Sequence, residues 1–317
     1  MSQTTESADA PTTQSRLTTH ATGRGKLVGH LAMLLFAALV SGSYSIGALA
    51  APHLGPGALN AVRFLVAISV MAAAVALVTR GRFSAPRAPW RYLVLGGLMA
   101  VFFVTMFISL RLTDPVSSGA VFTLMPLMSA VFGYFLLGQV PRPIVIASLI
   151  FAALGSVWVI FDGDIEAIRT FEIGRGEMIF LIGVAAHALY SPMVKKLNDG
   201  GEPLVAFTLW TMMGTGLCVA VYAAGEIVET DWSSLPPIVW LCIGYLAVFT
   251  GAGTTFLIQY GAMRLPAAKV MAYTYLSPSF IIVYEGLLGH GWASPSVAAG
   301  ALVTVLGLLV LALARDG

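Results

Sequence analysis

Arg264–Gly291, RLPAAKVMAYTYLSPSFIIVYEGLLGHG, is apolar and long enough to cross a bilayer, yet it carries Lys269, Pro278 and Glu285. A charged side chain is costly in hydrocarbon, so an ionisable residue inside such a segment by default faces a cavity or a partner. The same layout occurs upstream. Thr113–Val140, TDPVSSGAVFTLMPLMSAVFGYFLLGQV, also has an opening Pro, small residues, an aromatic, an interior Pro and an exit reading Leu-Leu-Gly-polar. Gly289 and Gly138 are 151 residues apart (289 − 138), as are Pro266 and Pro115 (266 − 115). The interior prolines miss that register by one (278 − 126 = 152). The chain reads as two copies of one unit.

Composition puts both copies in lipid. The 317 residues are 58% hydrophobic and 10% charged, with a mean hydropathy of +0.87, whereas soluble domains are about one-quarter charged. The net charge of +2 says little, because loop location governs what Lys and Arg mean in a membrane protein. Cys218 and Cys242 fall in apolar segments and read as buried thiols. Residues 1–26, rich in Ser, Thr, Ala and Gln at their start, read as a disordered cytoplasmic tail. No short apolar core precedes a cleavage site, so the first apolar segment reads as a retained anchor.

Ten stretches have the length of a span, near 27–50, 57–79, 90–110, 115–138, 143–161, 175–194, 203–225, 236–260, 266–288 and 294–314. With the N-terminus inside, one side collects Arg16, Arg24, Lys26, Arg80, Arg82, Arg87, Arg91, Arg142, Lys195, Lys196, Arg264, Lys269 and Arg315. The other side has Arg111, Arg169 and Arg175. This bias places both termini in the cytoplasm of a cell whose inner or plasma membrane holds the protein. Gly23-Arg24-Gly25-Lys26 recurs as Gly174-Arg175-Gly176-Glu177, again 151 apart (174 − 23). The units are therefore 27–161 and 175–314, with five spans each. An odd number of spans inverts the second copy, and inverted repeats are a hallmark of secondary transporters with a site between the halves. The expected fold is an all-α membrane protein with ten transmembrane helices as two inverted five-helix repeats.

The order and spacing of these motifs resemble the EamA-type transporters of the drug/metabolite transporter superfamily over about residues 27–314. Pro56…Arg63-Phe64 in the second span, and Ala188-Leu189-Tyr190 with Lys195-Lys196 ending the sixth, add to the likeness. Gln139 and His290 stand where the family usually has Glu, and His187 where it often has Trp. The resemblance implies movement of a metabolite or an amino-acid-like or drug-like solute, most often efflux, through a central cavity. Uptake by the same fold is one alternative. A membrane-embedded enzyme or lipid-handling protein is another.

On an ideal helix Lys269, Tyr273, Ser277, Phe280 and Tyr284 fall within about 80° of one another. This polar-aromatic stripe is the candidate cavity face, joined by Phe122 from the repeat-related segment and by Tyr44 and Tyr190. Lys269 either receives an anionic group or snorkels to the interface. Pro126 and Pro278 are candidate hinges, each freeing a carbonyl four residues back. Arg63, His187 and Glu285 are candidates for proton coupling or an ion pair. No metal-ligand spacing, phosphate-binding loop or nucleophile elbow occurs, so neither cofactor nor catalysis is expected. The basic Arg80–Arg91 loop reflects topology and anionic lipid, not nucleic acid. The expected partners are a small-molecule substrate, the lipid bilayer, protons as coupling ion and, as an open possibility, a second copy of the chain.

Overall fold

The computed structural model describes residues 20–50, 52–82, 85–86, 88–110, 112–113, 121–199, 201–289, 291–292 and 294–314. The expected tail up to residue 19, Pro115 and His290 lie outside the described residues, as does the side chain of Tyr44. The helices are α1 (Gly23–Ala50), α2 (Pro56–Val78), α3 (Pro89–Leu110), α4 (Met125–Leu137), α5 (Pro143–Ile160) and α6 (Arg175–Leu197). They continue as α7 (Leu204–Tyr222), α8 (Pro237–Ala262), α9 (Ala267–Ala272), α10 (Ser277–Leu287) and α11 (Pro295–Leu313). Two short helices, Ile165–Arg169 and Ala224–Glu229, lie in connections.

Among the described residues, eight helices are long and apolar enough to cross a membrane: α1, α2, α3, α5, α6, α7, α8 and α11. The two further expected spans, near 115–138 and 266–288, are the ones with interior prolines. They were expected to be kinked but continuous; they are broken. Pro126 and Pro278 occupy the first turn of α4 and α10, where the missing N–H has no helical partner to lose. A 3₁₀ turn, Tyr273–Leu276, separates α9 from α10. Each Leu-Leu-Gly exit ends on a left-handed glycine, Gly138 at φ +66° and Gly289 at φ +86°, a conformation that disfavours any side chain.

Packing crosses between the two halves of the chain. α5 lies against α11, α3 against α6, α7 against α2 and α3, and α4 against α6 and α9. α8 and α10 lie against α1, and α8 also meets α2. Glycines permit the closest approaches. A Cβ built on Gly155 would stand 2.6 Å from Thr304 Oγ1 and 2.7 Å from Gly300 O, so only hydrogen fits between α5 and α11 there.

The connections gather at two ends of the bundle. At the end where α1 starts, Ala21 N–H donates to Arg264 O at 3.0 Å. Lys26 and Lys269 Nζ both donate to Ala314 O, at 3.1 and 2.6 Å, and Gln139 Oε1 accepts from Ala267 N–H at 3.0 Å. Arg91 donates to Leu197 O and pairs with Asp199 and Glu202. At the opposite end Glu226 caps α2 by accepting from Gly57 and Ala58 N–H, Thr113 bonds Glu177, and Trp158 donates to Ser296 O.

Candidate functional site

A cavity of about 700 Å³ lies among α1, α2, α3, α6 and α8. That volume falls within the roughly 300–1,000 Å³ typical of small-molecule sites. Its lining reaches His53, Leu54, Gly55 and Pro56, the connection from α1 to α2, so it approaches the end opposite the start of α1.

The cavity's one cation on the spans is Arg63, only 5% exposed, and α8 holds it. Residues Val248–Gly253 of α8 form a π-turn, whose wider spacing breaks the i to i−4 ladder and leaves carbonyls short of partners. Arg63 takes them: Nε donates to Leu246 O at 3.1 Å and Nη2 to Thr250 O at 2.9 Å. Nη1 reaches Asn60 Oδ1 at 3.4 Å, and the guanidinium carbon sits 4.7 Å from the Phe103 ring centroid. Every one of these contacts is neutral, and among the described residues no Asp or Glu lines the cavity. α2 can come this close because residue 251 is glycine; a Cβ there would stand 2.9 Å from that of Ala67.

Thr250 within the π-turn and Thr254 and Thr255 after it also line the cavity. Their hydroxyls donate back to Leu246 O, Thr250 O and Gly251 O at 2.8, 2.6 and 2.7 Å, leaving lone pairs as acceptors. His187 contributes an imidazole whose centroid is 4.4 Å from that of Phe102 and whose Nδ1 is buried without a hydrogen-bond partner. Phe36, Phe102, Phe103, Phe122 and Met99 form the facing apolar wall.

The two walls are related by the repeat. Phe36 and His187, Met99 and Thr250, and Phe103 and Thr254 are each 151 residues apart (187 − 36, 250 − 99, 254 − 103), and all six line the cavity. The first half supplies the apolar member of each pair, the second half the polar one.

Of the residues singled out in the sequence, Arg63, Phe122 and His187 line this cavity. The stripe on α9 and α10 does not; it braces other elements. Lys269 is 1% exposed and bonds Ala314 O, Tyr273 OH lies 2.9 Å from His30 Nδ1, and Tyr284 OH donates to Ala38 O at 3.1 Å. Ser277 is buried with its Oγ unpartnered. Tyr190 is fully buried, its OH accepting from Gln259 Nε2 at 2.9 Å while Gln259 Oε1 accepts from Thr208 at 2.5 Å. Glu285 is half-buried on α10, and the expected pairing of Arg63 with it is not formed, since carbonyls and Asn60 occupy the guanidinium. The sequence reading passed over the threonines. Thr250-Gly-Ala-Gly-Thr-Thr255 places three hydroxyls and two glycines in six residues of an otherwise apolar span, and that was the available signal. Among the described residues no group of three or more His, Cys, Asp or Glu could hold a metal ion.

The helices are those of a multi-pass membrane protein, and the family comparison says of which kind. The EamA-like transporter family matches residues 27–161 and again 174–313, and the chain belongs to that family. It is a multi-pass membrane transporter, which points away from an enzyme. Among individual proteins, it is similar to the uncharacterized transporter YyaM of Bacillus subtilis (strain 168), 25% identical over 287 residues, covering 88% of this chain and 92% of that protein. A protein of known crystal structure shares the fold with a TM-score of 0.72 at 23% identity, covering 92% of this chain and 99% of the other.

Proposed function

We propose that this protein is a secondary active transporter that carries a small polar or amphipathic metabolite through the 700 Å³ cavity by alternating access between two inverted five-helix repeats. The observation that carries this reading is the lining itself, in which repeat-related residues from both halves meet around one space. Packing supports it as well. Exchanging the halves turns the contact of α3 with α6 into that of α8 with α1, and α4 with α6 into α10 with α1; each member of these pairs is present. In this reading α4, with the residues before it, and α9 with α10 are the fourth and ninth of ten spans, and the units are 27–161 and 175–314.

The basic residues at the end where α1 starts favour a cytoplasmic location for that end, in the inner or plasma membrane. The cavity then faces outward. Net export is the direction we assign, on the family likeness alone. His187 is our candidate for proton coupling, because it is the imidazole that a membrane-spanning helix places on the cavity wall, whereas His53 lies in the α1–α2 connection; Glu285 is off that wall.

Site-directed thiol labelling tests alternating access. In a Cys218→Ser/Cys242→Ser background, Thr255→Cys should react with a membrane-impermeant maleimide from one side at a time, the side switching when a substrate gradient is imposed. Simultaneous reaction from both sides would indicate a channel, and no reaction from either would remove the cavity from the transport path.

A further inference from the structure

Resting on that reading, we infer that the transported species is an amphipathic anion, its carboxylate or equivalent acid group held by Arg63 and its apolar body lying against Phe36, Phe102, Phe103 and Phe122. The argument is a charge count in a confined space. Arg63 is a permanent cation, it is 95% removed from solvent by its 5% exposure, and its protein partners are two carbonyls and one amide. Dipoles orient the guanidinium without cancelling its charge. A buried cation is normally matched by an anion, because leaving it unmatched forfeits the interaction that offsets desolvation. Among the described residues the cavity offers no carboxylate, so the matching charge arrives with the ligand.

Geometry narrows the class further. Three of the five guanidinium N–H groups are engaged by the protein, which fixes the plane of the fork and leaves two donors for a planar acid group. The aromatic wall and Met99 suit a ring or short apolar chain. A cationic amphiphile would place its charge in the field of Arg63 and be rejected.

The test uses full-length purified protein and three nearly isosteric probes: 3-phenylpropionate, its neutral amide, and 3-phenylpropylamine. Binding is read by calorimetry and by thermal shift. A charge-assisted fork contact predicts that the carboxylate binds tighter than the amide by about tenfold or more, with the amine weakest. In Arg63→Gln the carboxylate should lose that advantage and bind like the amide, whereas Arg63→Lys should keep part of it. Should Arg63→Gln fail to fold for want of its bonds to α8, the wild-type probe series decides alone. Amide or amine binding as tight as the carboxylate overturns the proposal, as does absence of carboxylate binding. The first of these leaves the transport cavity standing. Failure of the cavity itself is distinguished by Thr255→Cys, whose labelling none of the bound probes would then slow.

Discussion

Gly155→Ala tests whether close glycine contact sets the stability of the α5–α11 pair. The added Cβ would stand 2.6 Å from Thr304 Oγ1 and 2.7 Å from both Gly300 O and Thr304 N, where ordinary contact begins at 3.4 Å. The helices must therefore separate by nearly an ångström at that point. Separation also stretches the bond from Thr304 Oγ1 to Ala152 O, already 3.4 Å long. Overpacking of this kind costs about 1–3 kcal/mol. Two of the three obstructing atoms belong to the backbone, so removing the hydroxyl in Thr304→Ala should rescue less than half of the loss. The assay is equilibrium unfolding of the purified protein in mixed detergent, with the single and double variants compared as a cycle. Because neither residue lines the cavity, ligand affinity of the folded fraction should stay at the wild-type value. Unchanged stability in Gly155→Ala, or full rescue by Thr304→Ala, would refute the reasoning.

Other outcomes follow from the same contacts. Gln259→Leu strips the partner from Tyr190 OH in a fully buried site and should destabilise by about 1 kcal/mol; adding Tyr190→Phe should recover part of that loss in the same unfolding assay. Gln139→Ala uncaps the start of α9 and should cost about 0.5–2 kcal/mol, while Gln139→Glu, which keeps the acceptor, should not. The Asp199 carboxyl is held below its usual range, first by the Gly201 N–H and also by Arg91. Its stabilising contribution is therefore present above the unfolded-state value near 3.9 and fades as pH falls through the lower folded value. Thermal stability of wild type and Asp199→Asn should differ at pH 6 and converge toward pH 3. His187→Gln should flatten the pH dependence of transport measured in vesicles; full retention would remove His187 as the coupling group.

What the sequence disclosed depended on how local the governing chemistry was. The two Leu-Leu-Gly exits were legible because each needs a left-handed residue, and that demand is written at a single position. The stripe from Lys269 to Tyr284 was laid out on an unbroken helix at 100° per residue. The 3₁₀ turn at Tyr273–Leu276 winds at about 120° per residue, so four residues overshoot by about 80° and the face dissolves. α8 carries the opposite distortion. Its π-turn brings Leu246 O and Thr250 O to Arg63, a meeting of residues 63 and 250 that no periodicity within either span announces. Arg63 and His187 were legible because an ionisable group inside a span is conspicuous; their common cavity was not, because helix rotation decides it.

The pairing of α5 with α11 also shapes how the chain is made. Their starts are 152 residues apart (295 − 143), so α5 leaves the ribosome and enters the bilayer long before the surface that accommodates Gly155 exists. Until then its small-residue groove is open to lipid or to chaperones, and α1 likewise waits for α8 and α10. Insertion is thus early and sequential, whereas the pairings of α5 with α11 and of α1 with α8 and α10 form late.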